Sequence, residues 1–101
     1  MTPELIEEAA RRFALLGDPT RLRILNTLMV RGEMSVGAVA EASDTSRFNA
    51  SAHLNRLAAG GFVARRRAGS TVYYRVADAD LGHVCDWICN AVRERARAIA
   101  T

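Results

Sequence analysis

The chain has 101 residues, a formal net charge of +3 and fourteen basic side chains, all of them arginine. This length predicts a single domain over residues 1–101. Because so small a domain buries a modest share of its surface, it leaves room for dimerisation as a source of stability. No apolar run reaches the eighteen or more residues of a membrane span, and the acidic start lacks the pattern of a signal peptide. These features argue against a membrane protein and favour the cytoplasm, where both cysteines are expected to be free thiols.

The charges divide the chain into three segments. Residues 45–77 carry six arginines and no aspartate or glutamate, whereas residues 1–44 carry five arginines against seven acids and residues 78–101 carry three against four. Such a basic block predicts a surface for a polyanion, above all nucleic acid, whose phosphates contribute affinity through release of counterions. The alternative is a solvated basic surface without a ligand.

Apolar side chains at three- and four-residue steps predict two helices at the start of the chain. The first runs over about residues 3–16, with acids near its start where they suit the helix dipole. Asp18 as N-cap, Pro19 at the first helical position and Gly32 at the end define the second helix. The predicted inward face of the second helix consists of Leu22, Leu25, Leu28 and Met29.

A short helix, a polar turn and a second helix follow over about residues 35–59. The short helix is "SVGAVAEA", the turn is "SDTS", and Ser46 is the predicted N-cap of the next helix. The inward residues are Val36, Val39 and Ala40 in the short helix and Ala50, Leu54 and Leu57 in the next one. This is the pattern of a helix-turn-helix, in which the second helix enters the major groove of DNA.

Two β-rich runs within residues 62–76 predict a hairpin, joined by a three-residue connection of Ala68, Gly69 and Ser70. Three adjacent arginines are predicted at its tip, where they suit contacts with backbone phosphates. Alternation turns Val72, Tyr74 and Val76 of the return strand toward the core. A long final helix is predicted over residues 78–100, with an apolar stripe of Leu81, Val84, Cys85, Ile88, Val92, Ala96 and Ile99.

The order of these elements, with "DPTRLRIL" in the second helix and "VYYR" in the hairpin, resembles the ArsR/SmtB family of winged helix-turn-helix repressors. The resemblance covers about residues 5–95. It implies a mainly α fold with a small β-hairpin, in the order α-α-α-α-β-β-α, and a homodimer formed by the first and last helices. The predicted dimer interface is Leu5, Ala9, Phe13, Leu81, Val84, Cys85, Ile88 and Val92.

The resemblance also implies double-stranded operator DNA as the partner and "TSRFNASAHLNRL" as the recognition helix. Arg47 stands where the family commonly has glutamine; its guanidinium suits guanine or a phosphate, while Asn49 suits adenine and Phe48 a thymine methyl. His53 is either a phosphate contact or a structural histidine. The predicted DNA-binding residues are Ser46, Arg47, Phe48, Asn49, Ser51, Ala52, His53, Asn55, Arg56, Arg65, Arg66, Arg67, Ser70, Thr71 and Tyr73.

Members of the family release DNA when a ligand, often a metal ion, metalloid or reactive sulfur species, binds the dimer. The family's thiolate motif in the third helix reads "EMSVGAV" here, with Ser35 and Gly37 at the thiolate positions. The family's zinc site in the final helix also lacks its pattern, because no second histidine follows His83. Neither of the usual family metal sites is therefore expected.

The remaining sensor candidates are Cys85 and Cys89 in "GHVCDWICN". Residues four apart on a helix share one face, with Cβ atoms about 5 to 6 Å apart. The two thiols can therefore converge on a soft ion such as arsenite, cadmium or zinc, or react with a sulfur species. A two-fold dimer would double the pair, and His83 or Asp86 could complete a site. The alternative is that both cysteines are apolar packing at the dimer interface.

The sequence and the resemblance thus predict a homodimeric, sequence-specific transcriptional repressor, with Cys85 and Cys89 as the candidate site at which a soft metal, metalloid or sulfur species would cause derepression. One alternative is a repressor of the same family with another ligand or none. Another is a DNA-organising protein without sequence preference, which would use the same basic wing. An enzyme is not expected, because no phosphate-binding glycine loop or dense metal cluster accompanies the polar residues of the helix-turn-helix.

Overall fold

The computed structural model describes residues 1–100 as five helices and one small antiparallel sheet. The helices are α1 (Pro3–Leu16), α2 (Pro19–Arg31), α3 (Val36–Ala42), α4 (Arg47–Ala59) and α5 (Leu81–Ala100). The strands are β1 (Met34–Ser35), β2 (Val63–Ala68) and β3 (Thr71–Val76). Within the described part of the chain, none of the helices combines the length and apolar character that crossing a membrane requires.

Side-chain caps define where the first four helices begin. The oxygens of Thr2, Asp18, Ser35 and Ser46 accept hydrogen bonds from the backbone N–H groups three residues later, at 3.1, 2.9, 3.2 and 3.0 Å. Each bond satisfies a donor that the first helical turn leaves without a partner. The predicted N-caps Asp18 and Ser46 are therefore confirmed.

The core lies among α2, α3, α4, the inner face of the sheet and the start of α5. The stripe of α4 is buried as predicted, whereas the buried face of α2 is rotated from the prediction: Ile24 is fully buried and Leu22 is 43% exposed. The reason is that α2 packs on the core along residues 24, 25 and 28, so that Leu22 faces a cleft beside α1 and α5. The core residues are Ile24, Leu25, Leu28, Val39, Ala40, Ala50, Leu54, Leu57, Val63, Tyr74 and Leu81.

The predicted hairpin is part of a three-stranded sheet with the order β1-β3-β2. The extra strand, β1, places Met34 opposite Tyr74 and Ser35 opposite Tyr73; two residues are too few for an alternating pattern to show in the sequence. The turn between β2 and β3 is two residues long and not three, because Ala68 pairs with Thr71. Gly69 within it has φ +61°, a conformation that favours glycine.

The final helix begins three residues later than predicted. Residues 78–80 form a turn in which the carbonyl oxygen of Asp78 accepts the N–H of Leu81 and its carboxylate accepts the N–H of Asp80. Leu81 anchors α5 to the core and Cys85 packs against that core, but most of the predicted apolar stripe is exposed. The protomer therefore leaves an apolar face of α5 uncovered.

Candidate nucleic-acid interface

The outward face of α4 carries the residues predicted to read DNA. Phe48 is 82% exposed, and Arg47, Asn49 and Asn55 are exposed with it. Because Ala50, Leu54 and Leu57 anchor the opposite face in the core, the outward face is rigidly presented. Ser46, Ala52 and Arg56 are exposed, while Ser51 and His53 are half-buried at the edges of this face.

The His53 side chain is half-buried at the edge of the exposed face of α4. Its Nδ1 atom is buried without a hydrogen-bond partner. The hydrogen bond that the Asp18 carboxylate accepts from the Arg21 N–H lowers the pKa of Asp18, and the charges of Arg21 and His53 lower it further. This position beside the start of α2 favours the structural role for His53.

Arg47 packs against α3 at Gly37. An ideal Cβ built on Gly37 would lie 3.2 Å from Nη2 and 3.4 Å from Cζ of Arg47. A Cβ at position 37 would therefore crowd the guanidinium, which would have to shift by a few tenths of an ångström. The absence of that side chain allows the first residue of α4 to rest on α3.

The three wing arginines lie at the end of β2 next to the turn, in the strand where the sequence predicts them. Arg65 and Arg67 lie opposite Tyr74 and Val72 on one face of the sheet, while Arg66 lies opposite Tyr73 on the other. All three arginines are exposed, as is Ser70 in the turn, whereas Thr71 and Tyr73 are half-buried. The hairpin therefore presents arginines on both of its faces.

Glu33, which lies outside the basic block, forms an ion pair with Arg66 of the wing. The Nη2 atom of Arg66 donates to one carboxylate oxygen of Glu33 at 2.6 Å, and Nε lies 3.2 Å from each oxygen. The guanidinium carbon is also 4.8 Å from the centre of the Tyr73 ring. The hydrogen bond from Arg66 holds the pKa of Glu33 below its ordinary value, with further lowering by the charges of Arg66 and Arg75.

The residues predicted for the dimer interface lie on α1 and α5, which together line apolar clefts. Leu5, Phe13, Ile88 and Val92 are between 46% and 64% exposed, so they lack cover within the protomer. Leu81 differs, because its side chain is already part of the core. An exposed apolar surface of this kind is typical of an interface with another chain.

Residues 16–66, about half of the chain, match the family described as Helix-turn-helix domain. The Mycobacterium tuberculosis transcriptional regulator Rv0324 is 39% identical over 80 residues, which are 79% of this chain and 35% of that protein. The Bacillus subtilis transcriptional repressor SdpR is 32% identical over 82 residues, which are 81% of this chain and 90% of SdpR. A Staphylococcus aureus cadmium resistance transcriptional regulatory protein, a CadC homolog, is 37% identical over 70% of this chain and 59% of its own length.

A solved structure of an ArsR-family domain is similar to this chain in fold as well as in sequence. The homodimeric winged helix-turn-helix DNA-binding domain of a possible ArsR-family transcriptional regulator from Mycobacterium bovis superposes with a TM-score of 0.80 at 35% identity, over 90% of this chain and 83% of that domain. The chain belongs to the ArsR/SmtB family. Its fold and family are those of DNA-binding transcriptional regulators, and the resemblance inferred from the sequence is confirmed.

Both cysteines of this ArsR/SmtB protein line one cleft. Their neighbours there are apolar residues of α1, α2 and α5, namely Phe13, Leu16, Leu22, Val84 and Ile88. Cys85 is half-buried and Cys89 is exposed, and both are free thiols. Burial raises the pKa of the Cys85 thiol, and negative charge at Cys89 and Asp86 raises it further. Cys85 is therefore protonated at neutral pH, which disfavours thiolate chemistry in the free protomer.

The fit of a metal ion to this cleft depends on how many ligands converge there. Among residues 1–100, no three histidine, cysteine, aspartate or glutamate side chains lie together in one protomer. His83 is 3.9 Å from Asp80 and is exposed on the first turn of α5. One protomer thus offers two sulfur atoms of the four ligands that a tetrahedral ion requires.

Proposed function

We propose that this ArsR/SmtB protein is a homodimeric, cytoplasmic repressor that binds an inverted-repeat operator in double-stranded DNA. The observation that carries the proposal is the polar outward face of α4, presented by a buried stripe and flanked by an arginine-bearing wing. In a two-fold dimer, two such helices enter successive major grooves about 34 Å apart. Occupation of the operator then excludes the transcription machinery.

We assign base contacts and phosphate contacts to different exposed residues of α4 and the wing. Arg47, Phe48 and Asn49 face outward from the first turn of α4, where recognition helices meet base edges, so we assign base reading to them. Arg56, Arg65 and Arg67 suit phosphates, because a guanidinium binds a phosphate regardless of sequence. Base-reading residues determine which sequence is bound, and phosphate-binding residues supply affinity for all sequences.

The test is a titration of the DNA upstream of the protein's own gene and of random DNA of equal length, at several salt concentrations. We expect at least about a thousandfold tighter binding to the operator and strong weakening by salt. Absence of salt-sensitive binding would contradict the proposal. Equal affinity for both DNAs would instead identify a DNA-organising protein without sequence preference.

A matched pair of variants tests the assignment of Arg47. The Arg47→Ala variant is expected to lose operator preference with a smaller loss of affinity for random DNA. Arg23→Ala removes an exposed arginine of α2 outside the basic block and serves as the control. Equal losses on operator and random DNA in Arg47→Ala would show that Arg47 binds a phosphate.

We also propose that a ligand that binds the thiols of Cys85 and Cys89 releases the repressor from DNA. The supporting observation is that both thiols line the cleft between α1 and α5, the helices of the proposed dimer. The ligand would be a soft metal or metalloid, such as arsenite, cadmium or zinc, or a reactive sulfur species. A dimer supplies two thiol pairs, and the Staphylococcus aureus relative is named for cadmium resistance.

The competing explanation is that both thiols only pack against apolar neighbours. One double variant distinguishes thiol sensing from packing. Operator affinity is measured for the wild type and for Cys85→Ser/Cys89→Ser, without additive and with arsenite, cadmium, zinc or persulfide. Release of the wild type alone supports thiol sensing, and the same response in both proteins excludes it. Because the pKa of Cys85 is raised, metal-induced release is expected to weaken as the pH falls.

A further inference from the structure

We propose that Glu33 limits the sequence-independent part of DNA affinity, because its carboxylate occupies Arg66 in the place of a DNA phosphate. This inference rests on the proposed DNA binding by the wing. It concerns a residue outside the helix-turn-helix and outside the acid-free arginine block. Glu33 would act on DNA only through Arg66.

The sheet brings Glu33 and Arg66 together although they are 33 positions apart in the chain. Ser35 of β1, Tyr73 of β3 and Arg66 of β2 form one row across the three strands. Glu33 lies just before β1, on the same side as Ser35 by the two-residue period of a strand. Its carboxylate therefore meets the guanidinium that lies over the Tyr73 ring.

The contact uses two of the nitrogen atoms of the Arg66 guanidinium. Nε and Nη2 both point to the carboxylate, and the ring of Tyr73 covers one face of the guanidinium. Among residues 1–100, no carboxylate lies within 4.0 Å of Arg65 or Arg67. Of the three adjacent wing arginines, Arg66 alone is therefore paired with a carboxylate from the described residues.

The pair is placed where a phosphate can compete for it. The side chains of Arg66 and Glu33 retain 53% and 30% of their exposure, so solvent and ions reach both. A phosphate offers the same paired oxygens as a carboxylate and the same bidentate geometry. When Arg66 exchanges Glu33 for a phosphate, the lost carboxylate contact offsets most of what the phosphate contact adds to DNA affinity.

The salt dependence of binding distinguishes this role from a structural one. Each phosphate contact makes the slope of log affinity against log salt concentration more negative by about 0.9. Glu33→Gln frees Arg66, so this variant is expected to bind both operator and random DNA more tightly at low salt. Its affinity should fall about threefold more than that of the wild type over a fourfold rise in salt.

The Glu33→Gln/Arg66→Gln double variant is the decisive comparison. If Arg66 is neutralised in the wild type, removing both charges should leave the salt slope unchanged. If Arg66 already binds a phosphate, the double variant should lose about 0.9 of that slope, and the proposal would be wrong. Glu7→Gln, which changes the net charge equally on an exposed part of α1, is the control and should match the wild type.

Two other results have separate meanings. Weaker binding by Glu33→Gln at every salt concentration, with an unchanged slope, would show that Glu33 only supports the wing and would overturn the inference. If the wild type itself shows no salt-sensitive binding, the proposed DNA-binding function fails, and the Glu33 inference fails with it.

Discussion

The hydroxyl of Tyr74 donates a 2.8 Å hydrogen bond to Oδ1 of Asn55. Tyr74 belongs to the wing and is 1% exposed, whereas Asn55 lies on the exposed side of the recognition helix. This bond therefore joins the two elements that we propose to contact DNA. It also orients the Asn55 amide, leaving its NH₂ group as a donor for a base or a phosphate.

Removal of the Tyr74 hydroxyl tests this link. Tyr74→Phe keeps the packing of the ring and is expected to lower the free energy of unfolding by about 1 kcal/mol, as measured by urea denaturation. Tyr73→Phe is the matched control, since Tyr73 lies on the opposite face of the same strand. Equal losses in the two variants would show that the bond to Asn55 adds no stability.

Substitution of Gly37 separates stability from sequence reading. Gly37→Ala is expected to keep or raise the unfolding free energy, by up to about 1 kcal/mol, because alanine is a better helix former than glycine and position 37 lies in the first turn of α3. The new Cβ must displace the flexible guanidinium of Arg47, so preference among operator variants should change. The control is Gly82→Ala in α5, where a Cβ meets nothing within 4 Å. Unchanged operator preference in Gly37→Ala would show that the resting position of Arg47 is irrelevant to reading.

Two substitutions of Ser46 separate helix capping from DNA contact. Ser46→Ala removes the oxygen that accepts the Asn49 N–H and should lower the unfolding free energy by about 1 kcal/mol. Ser46→Asp retains a capping oxygen, so stability should be kept, but its negative charge should repel phosphates and weaken DNA binding. Thermal unfolding and DNA titration measure the two effects. Retained DNA affinity in Ser46→Asp would place Ser46 away from the DNA.

The contact between Glu33 and Arg66 predicts a dependence of stability on acidic pH. The pKa of Glu33 lies below its ordinary value of 4.5 in the folded protein, so its stabilising contribution is fully present above about pH 4.5. That contribution is lost as the pH falls through the lowered pKa. The wild type should therefore exceed Glu33→Gln in urea midpoint near pH 6, and the difference should shrink toward pH 3. A difference that is constant with pH would contradict the ion pair.

The uncovered apolar faces of α1 and α5 predict that a glutamate introduced there prevents dimer formation. Phe13→Glu and Ile88→Glu should produce monomers in analytical ultracentrifugation, because a carboxylate cannot be buried there without a partner. Operator affinity should fall by about a hundredfold or more, since two linked half-sites become independent. Val30→Glu is the control, because Val30 is 75% exposed on α2. Dimers in all three variants would place the interface elsewhere.

Much of the local structure was predictable because it depends on residues within one or two turns of each other. Asp18 and Ser46 cap helices through backbone groups three residues away, and the stripe of Ala50, Leu54 and Leu57 follows the helical period. The charge block and the order of the motifs indicated a winged helix-turn-helix regulator. These features were sufficient for the family and for the candidate recognition helix.

Only the tertiary structure showed which distant groups meet. The strand β1 is too short to show a period, and Ile24 is buried in place of Leu22 because of where α2 packs. The bonds from Tyr74 to Asn55 and from Arg66 to Glu33 join residues 19 and 33 positions apart. No period or spacing encodes such pairs, since they arise when packing brings separate elements together. For the same reason, the sequence alone indicated an acid-free wing, whereas the fold places a carboxylate on it.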